Sequence, residues 1–207
     1  TYMDPLPFYH ETLESNLIDT QEFPLNAVTQ RPMAMYHSWD SQNAWLRQIH
    51  TYNYLYMSPK LGEAQGFDDG DWVWVESPHG KVRCMARFSE SVEPGTVWTW
   101  NAIGKAAGAW GLSPRANESQ KGFLLNHVIS EELPPCEAGE HMSNSDPVTG
   151  QAAWYDVRVK VYKVSDAEPA QTFPQFKPQR RVPGQDPRRG KWQAYFAGMF
   201  RKKTGID

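Results

Sequence analysis

The sequence predicts a mainly β protein built as a barrel, with a few short helices. In most patterned segments the apolar residues alternate at every second position, as they do in half-buried strands. The longest such segments are residues 71–77, 81–88 and 153–164. They are short and separated by turns that contain Gly, Pro or Asp, whereas helical patterns are few. Short strands with scattered single helices favour a β-barrel over a doubly wound α/β sheet.

Pro59 and Gly66 bound the clearer of two predicted helices. Proline favours the first turn of a helix, and glycine favours the position just past its end. In the acidic turn that follows, Gly70 supplies the positive φ with which the chain enters the next strand. Residues 77–80 then form a hairpin turn between two strands. The remaining predicted elements are the helix 41–50 and the strands 23–30, 54–58 and 95–100.

Composition and charge exclude several classes of function. At 207 residues the chain can bury a sizeable core and is expected to form one soluble domain with appended arms. The net charge of -3 implies no general attraction to nucleic acid or to an anionic membrane, so no nucleic acid partner is expected. No membrane span or signal peptide pattern is present. Cys84 and Cys136 are too few for a four-cysteine metal site and are expected to be ordinary thiols.

The C-terminal segment is basic and rich in proline. Residues 177–207 contain nine Lys or Arg and two acidic residues. One interpretation is a solvated tail. A second is a docking segment, because residues 191–200 carry apolar side chains at helical spacing, as a partner-binding amphipathic helix does. A helix on a membrane surface is a third.

The stretch from Ser58 to Gly80 contains the most informative motif. Its elements are Ser58-Pro59, Ala64, Gly66-Phe67, Gly70-Asp71, Val73, Val75, Ser77 and Gly80. This order resembles the pattern N-P-x-x-A-x-x-x-G-I-x-x-G-D-x-V-x-V-x-S-x-x-G of one family. That family is the C-terminal, dinucleotide-binding domain of molybdopterin oxidoreductases of the dimethyl sulfoxide reductase type. Ser58 departs from the pattern, which has Asn there, and Ala64 stands one place late.

The resemblance covers about residues 4–164. The phrases TQRP, YHSW, WNAIGK and NSDPVTGQAAW resemble the branch that acts on sulfur compounds, such as membrane-associated sulfite dehydrogenases. The resemblance implies a six-stranded double-psi β-barrel with an extended C-terminal arm. The domain boundaries expected from it are residues 1–22 for an N-terminal arm, 23–165 for the barrel and 166–207 for a basic tail.

The resemblance also implies a cofactor and partners. The barrel would hold molybdenum bis(molybdopterin guanine dinucleotide), or its tungsten analogue, for oxygen-atom or electron transfer on a small, sulfur-containing substrate. The expected partners are the remaining domains of the catalytic subunit and two further subunits. One of these carries iron-sulfur clusters for electron transfer, and the other is a membrane anchor. The isolated domain is expected to be inactive. The expected location is the cytoplasm, with attachment to a membrane through partner subunits and a periplasmic location left open.

The cofactor-binding residues follow from family position. A pyrophosphate needs backbone N–H groups, hydroxyls or a cation, and a guanine or pterin edge needs amides, imidazoles or carboxylates. Arg31 would offer a fixed fork to an anionic oxygen, and the start of the helix at Gln42 would favour a phosphate. No catalytic residue and no metal ligand is expected in this chain. The full set is Thr29, Gln30, Arg31, His37, Ser38, Gln42, Asn43, Ser58, Asp71, Asn101, Asn126 and Gln151.

Alternatives stay open for single residues and for the function of the whole chain. Arg31 could pair with a surface acid, His37 could be a packing histidine, and Asp71 could only cap its turn. For the whole chain, one alternative is a free-standing β-barrel interaction module that docks through its basic aromatic tail. A hydrolase of double-psi type is another, but it requires an Asp-Thr-Gly or Asp-Ser-Gly turn, and residues 68–71 and 146–150 do not supply one.

Overall fold

The computed structural model describes residues 13–40, 43–101, 103, 117–135, 141–145, 150–152, 157–168, 172 and 174–177. The chain divides into one unit from Thr1 to Lys177 and a second from Pro178 to Asp207. The second unit lies outside the described residues, and so does the predicted docking helix 191–200. The boundaries of the arm, barrel and tail therefore stay a prediction.

Three short helices and nine strands occur in the described part of the chain. Their bounds are α1 Leu13–Leu17, β1 Leu25–Gln30, α2 Ala44–Ile49, β2 Tyr54–Met57, α3 Pro59–Gln65, β3 Trp72–Ser77, β4 Gly80–Phe88, β5 Thr96–Trp100, β6 Glu132–Pro135, β7 His141–Ser143, β8 Val157–Lys163 and β9 Gln175–Phe176. Single 3-10 turns occur at His37–Trp39, Asn117–Gln120 and Leu125–Val128. No helix in this part of the chain is long and apolar enough to cross a membrane.

Six of these strands close into a barrel. Their order is β2-β5-β1-β8-β3-β4, and β4 pairs back with β2 to complete the ring. The pairs β1–β5 and β2–β4 are parallel, and the other four are antiparallel. The short strand β9 adds to the start of β4 outside the ring. The predicted mainly β, six-stranded double-psi barrel is confirmed.

Alternation along the strands places the core inside the ring. On β3, Val73, Val75 and Ser77 are buried, as the pattern predicted, and Val82, Cys84 and Ala86 do the same on β4. Fully burying one such aliphatic side chain contributes about 1.5–3 kcal/mol. The other members of this core include Leu25, Ala27, Leu55, Met57, Phe67, Val97, Phe123, Leu125, Val128, Val157, Val159 and Val161.

The predicted turns around α3 are also present. Pro59 is the first residue of α3, and Gly66 closes the helix with a left-handed φ of 73°. Gly70 has a φ of 88°, a backbone conformation that would be strained in any residue with a side chain. At the hairpin, Ser77 pairs with Gly80. These turns explain how a helix, an acidic turn and a strand can follow one another so closely, because each glycine reverses the chain once.

Trp74 is buried on the outside of the barrel, where Val73 and Val75 face inward. Its indole N–H donates to Glu168 Oε2 at 3.2 Å, which attaches the turn after β8 to β3. The Lys81 Nζ lies 4.2 Å from the ring centroid, and the Arg83 guanidinium lies 4.5 Å from it. Two cations over one ring explain how this Trp is only 2% exposed without belonging to the inner core.

A second network on the outer face of the barrel is centred on Glu76. It attaches the segment before β1 and the residue after β9 to the barrel. The Tyr162 hydroxyl donates to its carboxylate at 2.7 Å, and the Lys177 ammonium lies 2.8 Å from it. Lys160 lies between Glu76 and Glu22, 2.8 Å from the latter. Burial acts to raise the pKa of Glu76, but the hydrogen bonds from Lys177 and Tyr162 leave that pKa below its ordinary value. Burial and the nearby Glu76 raise the pKa of Tyr162.

Aromatic side chains line the outer face of β2 and β5. Tyr56 and Trp98 stack with ring centroids 4.1 Å apart and planes 7° apart, and Trp100 meets Trp98 edge-on at 4.8 Å. Tyr54 and Tyr52 extend the row from β2. This half-buried row accounts for part of the high aromatic content, because cross-strand aromatic pairs stabilise a sheet from its outer face.

Candidate functional site

The carboxyl ends of β1 and β5 meet at one end of the barrel. The two strands are parallel and in register, with Gln30 beside Trp100. Arg31 and Asn101 therefore leave the sheet side by side, and the Asn101 N–H donates to the Gln30 carbonyl at 2.7 Å. β2 is antiparallel to β5, so it begins at this same end, just after Asn53. We call this end, formed by residues 29–31, 53 and 99–101, the upper rim.

Two buried polar atoms at the upper rim lack a partner within the described residues. They are the Thr29 hydroxyl and the side-chain oxygen of Asn101. Thr29 is 4% exposed, so water cannot easily satisfy its hydroxyl. Leaving such an atom unpaired costs about 1–3 kcal/mol, and native proteins pair more than 90% of buried polar groups. Both atoms were predicted to contact a ligand, and the chemistry of this pair, one hydroxyl and one amide oxygen, fits a polar ligand edge.

The neighbouring buried polar groups are, by contrast, fully engaged. The Thr99 hydroxyl donates to Asn53 Oδ1 at 2.9 Å, and Asn53 Nδ2 donates to the carbonyls of Trp100 and Phe123, each at 3.0 Å. Asn53 is 2% exposed. The sequence did not single out Asn53 or Thr99. The one available signal was a polar Asn inside the run of aromatic residues that leads into β2.

The loop after β1 carries the next predicted residues. Arg31 is exposed, and its guanidinium lies 5.9 Å from the centroid of the Tyr36 ring. His37 has a φ of 49°, a left-handed conformation that is uncommon for a residue other than Gly. Asp40 stabilises this turn, because its carboxylate accepts the Tyr36 N–H at 2.8 Å. Arg31 and His37 therefore stand on one short, internally bonded loop.

Asn43 has a local role at the start of α2. Its side-chain oxygen accepts the N–H groups of Trp45 and Leu46, at 3.0 and 3.4 Å, and so caps the helix. The oxygen is thus already occupied, and only the amide N–H₂ remains for a ligand. Two other predicted residues cannot be placed in the same detail: Gln42 and the side chain of Ser38 lie outside the described residues.

The segment 121–128 is attached to the upper rim and to the end of β3 by hydrogen bonds. Phe123 bonds to Asn53 through its carbonyl, and the Ser77 hydroxyl donates to the Val128 carbonyl at 2.6 Å. Asn126 lies between these two anchors and is exposed. Gln151 is also exposed and precedes β8, whose amino end faces this rim. The upper rim therefore brings together Thr29, Gln30, Arg31 and Asn101, and Asn126 belongs to a segment that is hydrogen-bonded to this rim through Phe123.

Ser58 and Asp71 lie at the opposite end of the barrel. Ser58 follows β2 and Asp71 precedes β3, and these strand ends point away from the upper rim. Ser58 is 4% exposed. The Asp71 carboxylate accepts the Asp68 N–H at 2.9 Å and lies 2.8 Å from Lys163 Nζ. The Asp68 hydrogen bond, followed by that of Lys163, lowers the pKa of Asp71. Asp71 thus caps its turn, and the structure does not bring this pair together with the other predicted residues.

Two histidines near the β3–β4 hairpin should make the protein sensitive to acid. Burial lowers the pKa of His127, and burial together with Lys177 lowers the pKa of His79. In the unfolded chain both should titrate near their ordinary pKa of 6.5. The unfolded state therefore binds more protons as the pH falls below about 7, and the free energy of unfolding should decrease from there down to the lowered folded pKa values.

Urea denaturation at pH 7 and at pH 5 measures this loss. The double variant His79→Asn, His127→Asn should lose clearly less stability between the two pH values than the unmodified chain, and each single variant should fall between them. An equal loss in the double variant and the unmodified chain would show that other groups cause the acid sensitivity. Below about pH 4.5, protonation of Glu76 and then Asp71 should add a further loss, since both pKa values are lowered by folding.

Exposed apolar side chains are concentrated next to the upper rim. Of the large hydrophobic residues that the described part of the chain exposes, all but Phe176 belong to the connection from β1 to β2. The exposed apolar residues of this connection are Met33, Tyr36, Trp39, Trp45, Ile49 and Tyr52.

The described residues offer no cluster suited to a metal ion. Within them, no three His, Cys, Asp or Glu residues are grouped as a metal site would require. Cys84 is fully buried, and burial raises the pKa of its thiol. Cys136 lies outside the described residues.

A closed barrel with two buried hydrogen-bonding atoms at one rim that have no partner within the described residues is suited to bind a polar ligand. Residues 25–144 match the family model described as "Molydopterin dinucleotide binding domain". The match covers more than half of the 207 residues, and the chain belongs to this family. The resemblance seen in the sequence is confirmed, and the chain is a molybdopterin-binding domain.

Several known proteins are similar to this chain. A sulfite dehydrogenase subunit of Allochromatium vinosum is 77% identical over 204 residues, which make up 99% of this chain and 21% of that protein. "Dopamine dehydroxylase" of Eggerthella lenta is 26% identical over 151 residues, 70% of this chain and 13% of that protein. The chain thus spans about a fifth or less of the length of these relatives. The similarity to the first confirms the predicted sulfite dehydrogenase-like branch.

The fold also matches a solved structure. Acetylene hydratase from Pelobacter acetylenicus superimposes with a TM-score of 0.59 at 23% sequence identity. The superposition covers 79% of this chain and 22% of that one. At this identity the match speaks for the barrel fold alone.

Proposed function

We propose that this chain is the cofactor-binding domain of a molybdopterin oxidoreductase whose catalytic subunit converts a small sulfur oxyanion. The observation that carries the proposal is the pair of buried atoms of Thr29 and Asn101, which have no hydrogen-bond partner among the described residues, at the upper rim of a barrel of this family. The substrate class rests on the 77% identity to a sulfite dehydrogenase subunit. The bound form is molybdenum bis(molybdopterin guanine dinucleotide), with the tungsten analogue as the alternative.

Different residues at the upper rim suit different parts of this cofactor. Thr29 and Asn101 offer a hydroxyl and an amide to a pterin edge, and Asn126 offers a second amide from segment 121–128. Arg31 is exposed beside them and suits an anionic phosphate oxygen. His37 adds an imidazole on the same loop. When bound, the cofactor supplies the redox and oxygen-transfer chemistry, while these residues bind and orient it.

The remaining predictions complete the proposal. Gln30, Ser38, Gln42, Asn43 and Gln151 are further polar contacts, and Ser58 and Asp71 stay predictions for the guanine end. The partners are the other domains of the catalytic subunit, an iron-sulfur electron-transfer subunit, plus a membrane anchor subunit. The proposed location is the cytoplasm, with membrane attachment through those subunits, and the periplasm is the alternative. The interaction module remains the alternative, and the tail on which it depends lies outside the described residues.

Replacing Thr29 with valine in the purified holoenzyme tests the proposal. Valine keeps the shape of threonine but removes the hydroxyl, so cofactor affinity should fall about tenfold, and the molybdenum and guanine recovered per chain should fall with it. The free energy of unfolding of the cofactor-free 207-residue chain should be unchanged or higher, because an unpaired buried hydroxyl is gone.

The matched control is Thr96→Val, at the other end of the barrel. Thr96 begins β5, and its hydroxyl bonds only to Glu93 in the described contacts. This variant should keep its molybdenum and guanine. Equal recovery of both from Thr29→Val and Thr96→Val would contradict the proposed binding rim.

A further inference from the structure

We propose that Asn53 is a positioning residue that sets the spacing between the two segments with which the upper rim contacts the pterin. This inference rests on the proposed function and extends it to a residue that does not itself reach the ligand. Asn53 is only 2% exposed, and within the protein it makes four hydrogen bonds. All four of its partners belong to the end of β5 or to the segment that begins at Lys121.

The bonds of Asn53 connect two parts of the chain, the end of β5 and the segment 121–128. Its Nδ2 donates to the Trp100 carbonyl at 3.0 Å, which fixes the residue immediately before Asn101. The same amide nitrogen donates to the Phe123 carbonyl at 3.0 Å, three residues before Asn126. Its backbone N–H donates to the Lys121 carbonyl at 2.8 Å. One planar amide thus spans the gap between the two segments that present Asn101 and Asn126.

The third side-chain bond orients that amide. Asn53 Oδ1 accepts the Thr99 hydroxyl at 2.9 Å, so the oxygen points to β5 and both N–H donors point to carbonyls. Only an amide of this length offers two donors and an acceptor in one plane. Aspartate would set a buried carboxylate against two carbonyl oxygens, and alanine would leave both carbonyls unpaired. The position therefore specifies Asn rather than any polar residue.

Asn101 is the residue whose placement depends most on this arrangement. Its own side-chain oxygen is buried and has no partner within the described residues. Its backbone N–H is fixed to Gln30, and its preceding carbonyl is fixed to Asn53. The peptide bond that precedes Asn101 is therefore held through both its carbonyl and its N–H, and this pre-organises the Asn101 side-chain amide for a ligand. Pre-organisation of this kind increases affinity because the loops lose less freedom on binding.

The test compares Asn53→Ala with Leu55→Ala in the holoenzyme. Leu55 lies two residues further along the chain, within β2, is fully buried and contacts the core rather than the rim. Both variants should lower the thermal midpoint. Only Asn53→Ala should reduce the molybdenum and guanine recovered per chain, by about fivefold relative to Leu55→Ala. Equal recovery in the two variants would overturn the positioning role.

Hydrogen exchange of the cofactor-free chain gives a second readout that does not depend on the loaded enzyme. Amides in residues 121–128 and at Asn101 should exchange about tenfold faster in Asn53→Ala than in Leu55→Ala. Unchanged protection there would also overturn the inference. If Asn53→Ala does not fold, Thr99→Val replaces it, because it removes the 2.9 Å bond that orients the amide and, besides it, only the longer 3.4 Å bond from Thr99 to the Trp100 carbonyl. That variant should show the same two changes at smaller size, and the absence of both would count against the role.

The outcome separates this inference from the proposed function. If Thr29→Val keeps its cofactor, the proposed binding rim fails whatever Asn53 does. If Thr29→Val loses cofactor while Asn53→Ala retains as much as Leu55→Ala, the rim stands and only the positioning role of Asn53 fails.

Discussion

Replacing Trp74 with alanine is expected to lower the free energy of unfolding by about 3–5 kcal/mol, the usual cost of removing a buried Trp. The ring is 2% exposed and lies under Lys81 and Arg83. Its loss would open a cavity on the outer face of β3 and bring water to Arg83, which is 3% exposed. It would also release Glu168, whose carboxylate accepts the indole N–H.

Urea denaturation of the chain, followed by circular dichroism, measures this effect. Trp74→Phe is the control, because it keeps an aromatic ring beneath both cations while it removes the indole N–H and part of the ring volume. Phenylalanine should therefore cost about 1–2 kcal/mol, less than half of the loss on alanine. A loss below about 1 kcal/mol for Trp74→Ala would show that the outer cation–aromatic cluster contributes little to the fold.

Replacing Phe123 with alanine should have an effect of similar size, about 3–5 kcal/mol. Phe123 is 1% exposed and inserts into the barrel core from segment 121–128. Alanine would leave a cavity inside the ring and remove the apolar anchor that holds this segment beside Asn53. The loss should therefore combine weaker packing with faster hydrogen exchange between Lys121 and Val128.

Phe123→Leu separates volume from the aromatic ring. Leucine refills most of the space, so the cost should stay below about 1.5 kcal/mol, and hydrogen exchange in segment 121–128 should stay slow. Denaturant titration and exchange mass spectrometry measure the two effects on the same samples. If leucine proved as costly as alanine, the ring itself rather than the filled volume would be the source of stability.

The strands of the barrel were predictable where one face is buried. On β3 and β4 every second residue faces the core, and apart from Ser77 the side chains at these positions are apolar. β6 escaped prediction because it is four residues long and ends in two prolines. β9 escaped because it has two exposed residues and pairs only with the start of β4. Local pattern carries no information about such short pairings.

The order of strands around the ring could not be read from local patterns at all. β1 pairs with β8 and with β5, and these partners are far apart in sequence. The family resemblance supplied this topology, since the alternation of β1 predicts a strand but not its neighbours. The same limit applies to the turns at Ser58 and Asp71, which belong to the best motif in the sequence yet lie at the end of the barrel opposite to Thr29.

The site could be predicted only in part for a related reason. Thr29 and Asn101 were identified from their positions in family motifs, and the structure adds that their polar atoms are buried and have no partner in the part of the chain that it describes. Asn53 was missed because its two carbonyl partners lie 47 and 70 residues away along the chain. For a residue that joins distant backbone segments, the local sequence offers only a weak signal, here a polar side chain among aromatic neighbours.

The pairing of Leu25 with Val159 has a consequence for biosynthesis. The ring cannot close until β8 has left the ribosome, so the strands made earlier wait with unpaired backbone groups during translation. Contacts between segments so far apart make folding slow, because the entropy of closing the long loop is lost before the contact forms. During that interval the unpaired strand edges of the nascent chain are exposed to intermolecular strand pairing.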